Sequence, residues 1–305
     1  MSFTQEQLEK RRGGIGASEI GAIAGLNPYS SALDVYMEKV GLKESFEGNE
    51  RTEWGNTLEP VIAQKFFDRW GKAAGVKDMI EVETLYHPES DFFFATPDRL
   101  LMMEDGSLCG LEIKNVGQGA KKFWGQQGSD NIPEWYLTQV VWQMWITSLN
   151  YPEMAVNKWF VAALVTGNEF RVYEVEWNDD LIDKLSDLAM AFWKENVEKR
   201  LPPTETAPPE ALKRYVSSVF QYHDEDFADT SDAFEGWIEA LVALKGEREE
   251  ISRQIGEIEA TIKGYIGENL GVRGNFGTVT WKRSKDRAAV DYKSLIESAL
   301  SSGKI

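Results

Sequence analysis

Residues 92 to 116 read FFFATPDRLLMMEDGSLCGLEIKNV, two apolar runs joined by Asp105-Gly106. The Asp-Gly pair supplies a turn through which the two runs can pair as a hairpin. Successive strand residues alternate between faces. Glu112 and Lys114 therefore share one face, and Ile113 points the other way, into the core. Asp98 ends the first run and can come alongside them if the runs pair as a hairpin. Two carboxylates and an ammonium at a strand end suit metal-dependent phosphodiester cleavage: the acids hold Mg²⁺, and the lysine orients a water and offsets phosphate charge. A Glu-x-Lys triplet alone is ordinary in a chain of this composition, and an acid before a strand pair is most often a solvated turn. What points to chemistry is the joint pattern of Pro97-Asp98, the Asp-Gly turn and an apolar strand carrying both Glu112 and Lys114.

The chain has 305 residues, enough for one large domain or two smaller ones, and its 11 Trp, 15 Phe and 42% apolar content can build a core. No apolar run approaches the roughly 20 residues of a membrane helix. The segment MSFTQEQLEKRRGG lacks an apolar signal core, so export is not expected. Cys109 is the sole cysteine, which excludes disulfide frameworks and cysteine-built metal sites and suggests a reducing cytoplasm. His87 and His223 are the two histidines, too few for a multi-histidine metal site. The net charge of −17 opposes phosphate binding over most of the surface. Basic residues are nonetheless clustered, at Lys10-Arg11-Arg12, Lys121-Lys122, and Lys282-Arg283 with Lys285 and Arg287. Acids concentrate in 174–187, 195–210, 224–239 and 247–259, and an acidic exterior around a basic channel would repel DNA from the wrong surfaces.

Periodicity predicts helices over EIGAIAG, with Ser18 as N-cap, and over SALDVYMEKVG, NTLEPVIAQKFFDRWG, PEWYLTQVVWQMWITS and NDDLIDKLSDLAMAFWKENVEKR. In the third of these, Leu58, Ile62, Phe66 and Phe67 share a face and Gly71 is the stop. Strands are expected at IEVETLYH, FFFATPDRLL and LCGLEIKNV, and NKWFVAALV and EFRVYEVEW form a hairpin across Thr166-Gly167-Asn168. This order fits a mixed sheet flanked by helices. The Pro-rich stretch 202–210 is the expected linker between a core at 1–201 and an extension at 211–305. Beyond it, Leu241, Leu244, Ile251, Ile255, Ile258 and Ile262 follow a 3–4 spacing interrupted by Arg248, a long helix with a coiled-coil-like seam that packs either on its own chain or on a partner. A basic hairpin at 276–287 and a last helix over DYKSLIESAL follow. Asp291-Tyr292-Lys293 sits at that helix start and reads as a cap.

Gly14-x-Gly16 does not make a nucleotide site, because Glu19 stands at the third-glycine position, no apolar strand precedes it, and no Gly-Lys-Ser/Thr occurs. Anion binding fits better: Arg11 or Arg12, the Ser18 hydroxyl and a helix N-terminus can hold one phosphate.

Four blocks, RRGGIGASEIGAIAGLNPY, GNTLEPVIAQKF, TPDRLL…LEIKN and PEWYLTQVVWQM, occur in the order seen in the YqaJ-type viral recombinases, and GTVTWKRSKDRAAVDYKSL resembles the tail of many of them. The chain thus resembles, over nearly its whole length, phage exonucleases similar to lambda exonuclease. The resemblance implies an α/β fold with a restriction-endonuclease-like PD-(D/E)xK core, plus a C-terminal long helix and small β-hairpin. It implies Asp98 and Glu112 as metal ligands with the Ile113 carbonyl beside them, Lys114 orienting the water, and Glu59 completing an acidic cluster. Arg12 or Arg11, with Ser18, Thr96 and Gln139, would grip a 5′ phosphate. Tyr136, one turn before Gln139, belongs to a Y-x-x-Q signature or simply packs in the core. Two Mg²⁺ ions, with Mn²⁺ as a substitute, are the implied cofactors. The implied activity is 5′→3′ digestion of one strand of duplex DNA by an alkaline-type deoxyribonuclease, leaving 3′ overhangs for a single-strand-annealing recombinase. A homotrimeric ring in a bacterial host's cytoplasm, from a phage or prophage, is the implied setting. A sequence-specific or nicking endonuclease and a non-catalytic DNA-binding scaffold are the competing readings.

Overall fold

The computed structural model describes residues 5–43, 48–220, 230–275 and 277–281. His223, the basic stretch 282–287, the expected last helix and Asp291-Tyr292-Lys293 lie outside the described residues. The chain divides into two compact units, Met1–His223 and Asp224–Ile305.

The first unit runs α1 (Gln5–Arg12), β1 (Ile15–Gly16), α2 (Ala17–Ile23), α3 (Ala32–Lys39), α4 (Glu50–Phe66), β2 (Val76–Ile80), β3 (Leu85–His87), β4 (Ser90–Ala95), β5 (Arg99–Met103), β6 (Leu108–Val116), α5 (Glu134–Asn150), β7 (Lys158–Val165), β8 (Glu169–Glu176), α6 (Asp179–Ala191) and α7 (Pro209–Val219). A five-stranded sheet has the order β2-β5-β6-β7-β8, and a three-stranded sheet has β1-β4-β3. In the large sheet only β6 and β7 pair in parallel, joined by a crossover that contains α5. The other neighbours are antiparallel. Alternation along β6 sends Leu108 and Val116 to the core on one face and Cys109, Leu111 and Ile113 to a second core on the other. α4 covers the second face through Ile62, Ala63 and Phe66, while α5 covers the first through Val140, Val141 and Met144. This is the mixed sheet flanked by helices that the order of elements predicted.

Both expected hairpins form. Gly106, at φ 86°, turns β5 into β6, and Thr166 and Gly167, at φ 55° and 80°, turn β7 into β8. Left-handed backbone at two consecutive positions matches the twist of antiparallel strands. Gly110 has a different reason to be glycine: it lies opposite Trp159 in the parallel register, and a Cβ there would fall 1.9 Å from the indole.

Three local expectations are corrected. FFFATPDRLL is two strands of different sheets, broken at Thr96-Pro97-Asp98, because Pro97 offers no N–H to a ladder. IEVETLYH is likewise divided between β2 and β3. Ser18 is not the N-cap of α2. Gly16 holds that place in extended conformation, and its N–H donates to the Glu19 carboxylate at 2.9 Å.

The Pro-rich stretch 202–210 lies inside the first unit, since α7 packs on α3 and Arg214 pairs with Asp34 at 2.8 Å. The second unit contains α8 (Asp232–Ile266), capped by the Ser231 hydroxyl, and the antiparallel pair β9 (Gly271–Gly274) and β10 (Gly277–Thr280). Among the described residues no helix is long and apolar enough to cross a membrane.

Candidate active site

β6 delivers Glu112 and Lys114 to the face covered by α5. Glu112 is 2% exposed, and both of its carboxylate oxygens accept hydrogen bonds, with acceptor capacity left on Oε2. Oε1 accepts from Lys114 Nζ at 2.5 Å and from Gln139 Nε2 at 2.6 Å, and Oε2 accepts from Gln143 Nε2 at 2.7 Å. Gln139 and Gln143 are one turn apart on α5, which brings both amides to the same carboxylate. Lys114 also donates to Gln139 Oε1 at 3.3 Å and lies 4.5 Å from the centre of the Tyr136 ring.

Asp98 stands just before β5, and its Oδ2 accepts from the Ile113 N–H at 2.6 Å. A strand residue presents N–H and C=O to the same edge. The Ile113 carbonyl is therefore on the Asp98 side of β6. Burial and the negative charge of Glu112 push the Asp98 carboxyl well above the ordinary carboxylate range, with Lys114 acting against them. Burial works against the Lys114 ammonium, but Glu112, Tyr136 and Asp98 outweigh it and hold its pKa above the ordinary lysine value.

Glu59, on α4, adds its charge to the surroundings of Asp98, but its Oε1 accepts from Arg99 Nη1 at 2.8 Å. Arg99 also reaches Glu81 at 3.1 Å and donates to the Asp98 carbonyl. Among the described residues no three of His, Cys, Asp and Glu gather as a metal site. Asp98, Glu112 and the Ile113 carbonyl are the oxygen donors held at this strand edge.

A cavity of about 380 Å³ opens over the pair. Asp98, Glu112, Lys114 and Gln139 line it together with Arg11, Ser18 and Thr96. Arg12, exposed, and Tyr136 and Glu59, half-buried, do not line it. Lys10, from the basic cluster, also lines it, and Thr84, Tyr86, Phe94 and Gln143 are lining residues that no site reading named. Gln143 could have been found from its i, i+4 spacing to Gln139. Thr84 and Tyr86 carry no local signal, because they arrive through the β3–β4 pairing. The N-terminal wall is fixed from beneath: the fully buried Lys39 ammonium donates to the Arg11 carbonyl at 2.6 Å and to the Glu19 carboxylate at 2.7 and 2.8 Å. Gly16 lies against the Phe94 ring, where a Cβ would be 2.7 Å from it.

Comparison with known proteins agrees with the blocks read above. Over 282 residues the chain is 29% identical to the uncharacterized protein YqaJ of Bacillus subtilis (strain 168), covering 91% of this chain and 82% of that protein. Among solved structures it is similar to an alkaline exonuclease from Laribacter hongkongensis, with TM-score 0.48, 20% identity, and coverage of 71% of this chain and 100% of that one. It is also similar to a phage related exonuclease from Haemophilus somnus 129PT, with TM-score 0.44, 14% identity, and coverage of 61% and 95%. The sequence model of the YqaJ-like viral recombinase domain matches residues 6–150, the span that holds Arg11, Asp98, Glu112, Lys114 and Gln143.

Proposed function

We propose that the first unit is a divalent-metal-dependent exodeoxyribonuclease. It digests one strand of linear duplex DNA from 5′-phosphorylated ends and leaves a 3′ tail for an annealing recombinase. One observation carries this reading: Asp98, Glu112 and Lys114 converge on a single cavity that Lys10 and Arg11 also line. The match to a viral recombinase domain supports a recombination role.

Asp98, Glu112 and the Ile113 carbonyl are hard oxygen donors of the kind Mg²⁺ or Mn²⁺ takes, and two crowded carboxylates gain from a cation between them. With few protein ligands, waters and phosphate oxygens would complete the shell, as Mg²⁺ prefers. When bound, the metal supplies Lewis-acid charge that lowers the pKa of a water and neutralises the scissile phosphate. Lys114 is held protonated by Glu112, so it donates to the attacking water or a phosphate oxygen and does not act as a base. Gln139 and Gln143 keep the Glu112 carboxylate in place. Lys10 and Arg11 supply positive charge for the terminal phosphate, with the Ser18 and Thr96 hydroxyls beside them. A homotrimeric ring would confine this charge to a lumen and leave the outer surface acidic.

The test is product analysis on a linear duplex labelled separately at each 5′ and 3′ end. Release of 5′ label first, dependent on Mg²⁺ and on a 5′ phosphate, is expected. Rapid cutting of a covalently closed circle would favour an endonuclease, and undiminished digestion by Lys114→Ala would remove the site from the reaction.

A further inference from the structure

The second unit presents a surface that the proposed nuclease reaction does not use. α8 is 35 residues long, on the order of 50 Å. Written as heptads from Phe234, its a positions are Phe234, Leu241, Arg248, Ile255 and Ile262, and its d positions are Trp237, Leu244, Ile251, Ile258 and Tyr265. The repeat holds for five heptads without a slip. A helix that packs only on a globular core shows a wider apolar stripe with a 3.6-residue period, whereas a strict 3.5-residue seam matches another helix wound beside it. The nine apolar seam residues are 40% to 81% exposed.

We propose that α8 is a self-association helix whose occupant is the α8 of a second copy of this chain, in antiparallel orientation. Covering nine such side chains removes roughly 500–1,000 Å² per copy, the scale of a stable protein interface. Charge selects the orientation. A parallel pair would stack Arg248 on Arg248 in one layer. An antiparallel pair centred between 249 and 250 sets Arg248 of one copy opposite Ile251 of the other, with Glu247 of that copy within reach of the guanidinium. It also sets Lys245 and Glu259, both e positions, on a common flank. Arg248, Lys245 and Glu247 are in no ion pair among the described residues, whereas Arg253 and Lys263 are paired along the helix, with Glu250 and Glu257 and with Glu259. In the same register Leu244 faces Ile255 and Phe234 faces Tyr265. A lone charged residue in an apolar seam sets register and partner number at some expense of affinity.

The experiment is light scattering and sedimentation on the full chain over a range of micromolar concentrations. The wild type is expected above the 34.5 kDa of one chain. Leu244→Asp with Ile255→Asp should lower the mass, whatever assembly the first unit makes, and should abolish cross-linking between Phe234→Cys and Tyr265→Cys chains that also carry it. Arg248→Leu should tighten association by about tenfold or more. Mixed Phe234→Cys and Tyr265→Cys chains should cross-link to each other in preference to themselves. A wild-type chain that stays at one-copy mass, or an unchanged mass in the double aspartate variant, overturns self-association. Preferential 234–234 cross-linking overturns the antiparallel pairing, and weaker association of Arg248→Leu overturns the charge argument. Retained digestion of linear DNA by the variants shows that the first unit is folded.

Discussion

Asp98 Oδ2 takes the hydrogen bond of the Ile113 N–H at 2.6 Å, two residues past the last β5–β6 backbone pair, Arg99 with Leu111. Continued register would put Pro97 opposite Ile113. The Asp98 side chain takes that donor instead, so the ladder ends in a carboxylate held beside Glu112. The same contact closes the hairpin and builds the site.

Substitution of Asp98 should therefore separate folding from chemistry. Asp98→Asn keeps an acceptor for Ile113 but loses the negative charge proposed to hold the metal, and digestion is expected to fall about 10³-fold, corresponding to several kcal/mol of lost transition-state stabilisation. Asp98→Ala should lose the same activity and also about 1–3 kcal/mol of stability through the orphaned N–H. Single-turnover digestion and urea unfolding measure the two effects. Near-wild-type digestion by Asp98→Asn would place the chemistry elsewhere.

Gln143 holds the second oxygen of a carboxylate that is 2% exposed, and it does so without a charge of its own. Gln143→Leu should lower activity by about 10- to 100-fold, in the range seen for residues that orient a metal ligand. The loss should shrink at high Mg²⁺, because orientation is weakened while the ligand remains. A loss that ignores the metal concentration would give Gln143 a different role.

The elements that sequence made legible share one property: their signal is local. Asp105-Gly106 and Thr166-Gly167 specify their hairpins through backbone conformation, and the apolar periods of α4, α5 and α6 specify which face goes inward. Asp98, Glu112 and Lys114 could be read together because one hairpin carries them all. The parallel pairing of Ile15-Gly16 with Phe93-Phe94 left no such trace, since two residues give no period and their partner is far along the chain. The cavity wall followed the same division. Arg11 and Ser18 stood out through a motif, but Lys39, whose buried ammonium braces them, sits in an ordinary helical sequence and has meaning only through Glu19. α7 lay beyond a Pro-rich stretch that looked like a boundary. Its attachment to α3 depends on Arg214 meeting Asp34, a pairing 180 residues apart.

Gly110 offers a test of the sheet itself. Gly110→Ala would drive a methyl to within 1.9 Å of a fully buried indole on the neighbouring parallel strand. Overpacking typically costs about 1–3 kcal/mol, and a rigid Trp159 ring between two strands leaves little room to relax, so the upper end or more is expected. Urea midpoints report it. Gly110→Ala with Trp159→Leu should recover part of the loss, and an unaltered midpoint in the single variant would contradict the β6–β7 register.

The contact between α7 and α3 makes stability depend on acid pH. Burial would raise the Asp34 carboxyl, but donation from Ser31 and from Arg214, at 2.8 and 2.9 Å, wins and holds it below the ordinary range. A carboxyl with a depressed folded pKa contributes stability that is complete above the unfolded value, about 3.9, and is lost as pH falls through the folded one. Asp34→Asn cannot titrate and keeps only neutral hydrogen bonds. It should cost about 1.5–3 kcal/mol at neutral pH, the range for hydrogen bonds to a charged group. The gap between wild type and variant should stay constant from pH 7 to about 5 and close below about pH 4. Urea unfolding at pH 7, 5 and 3 measures that gap. A gap of equal size at pH 3 would mean that the charge of Asp34 does not fasten α7 to the first unit.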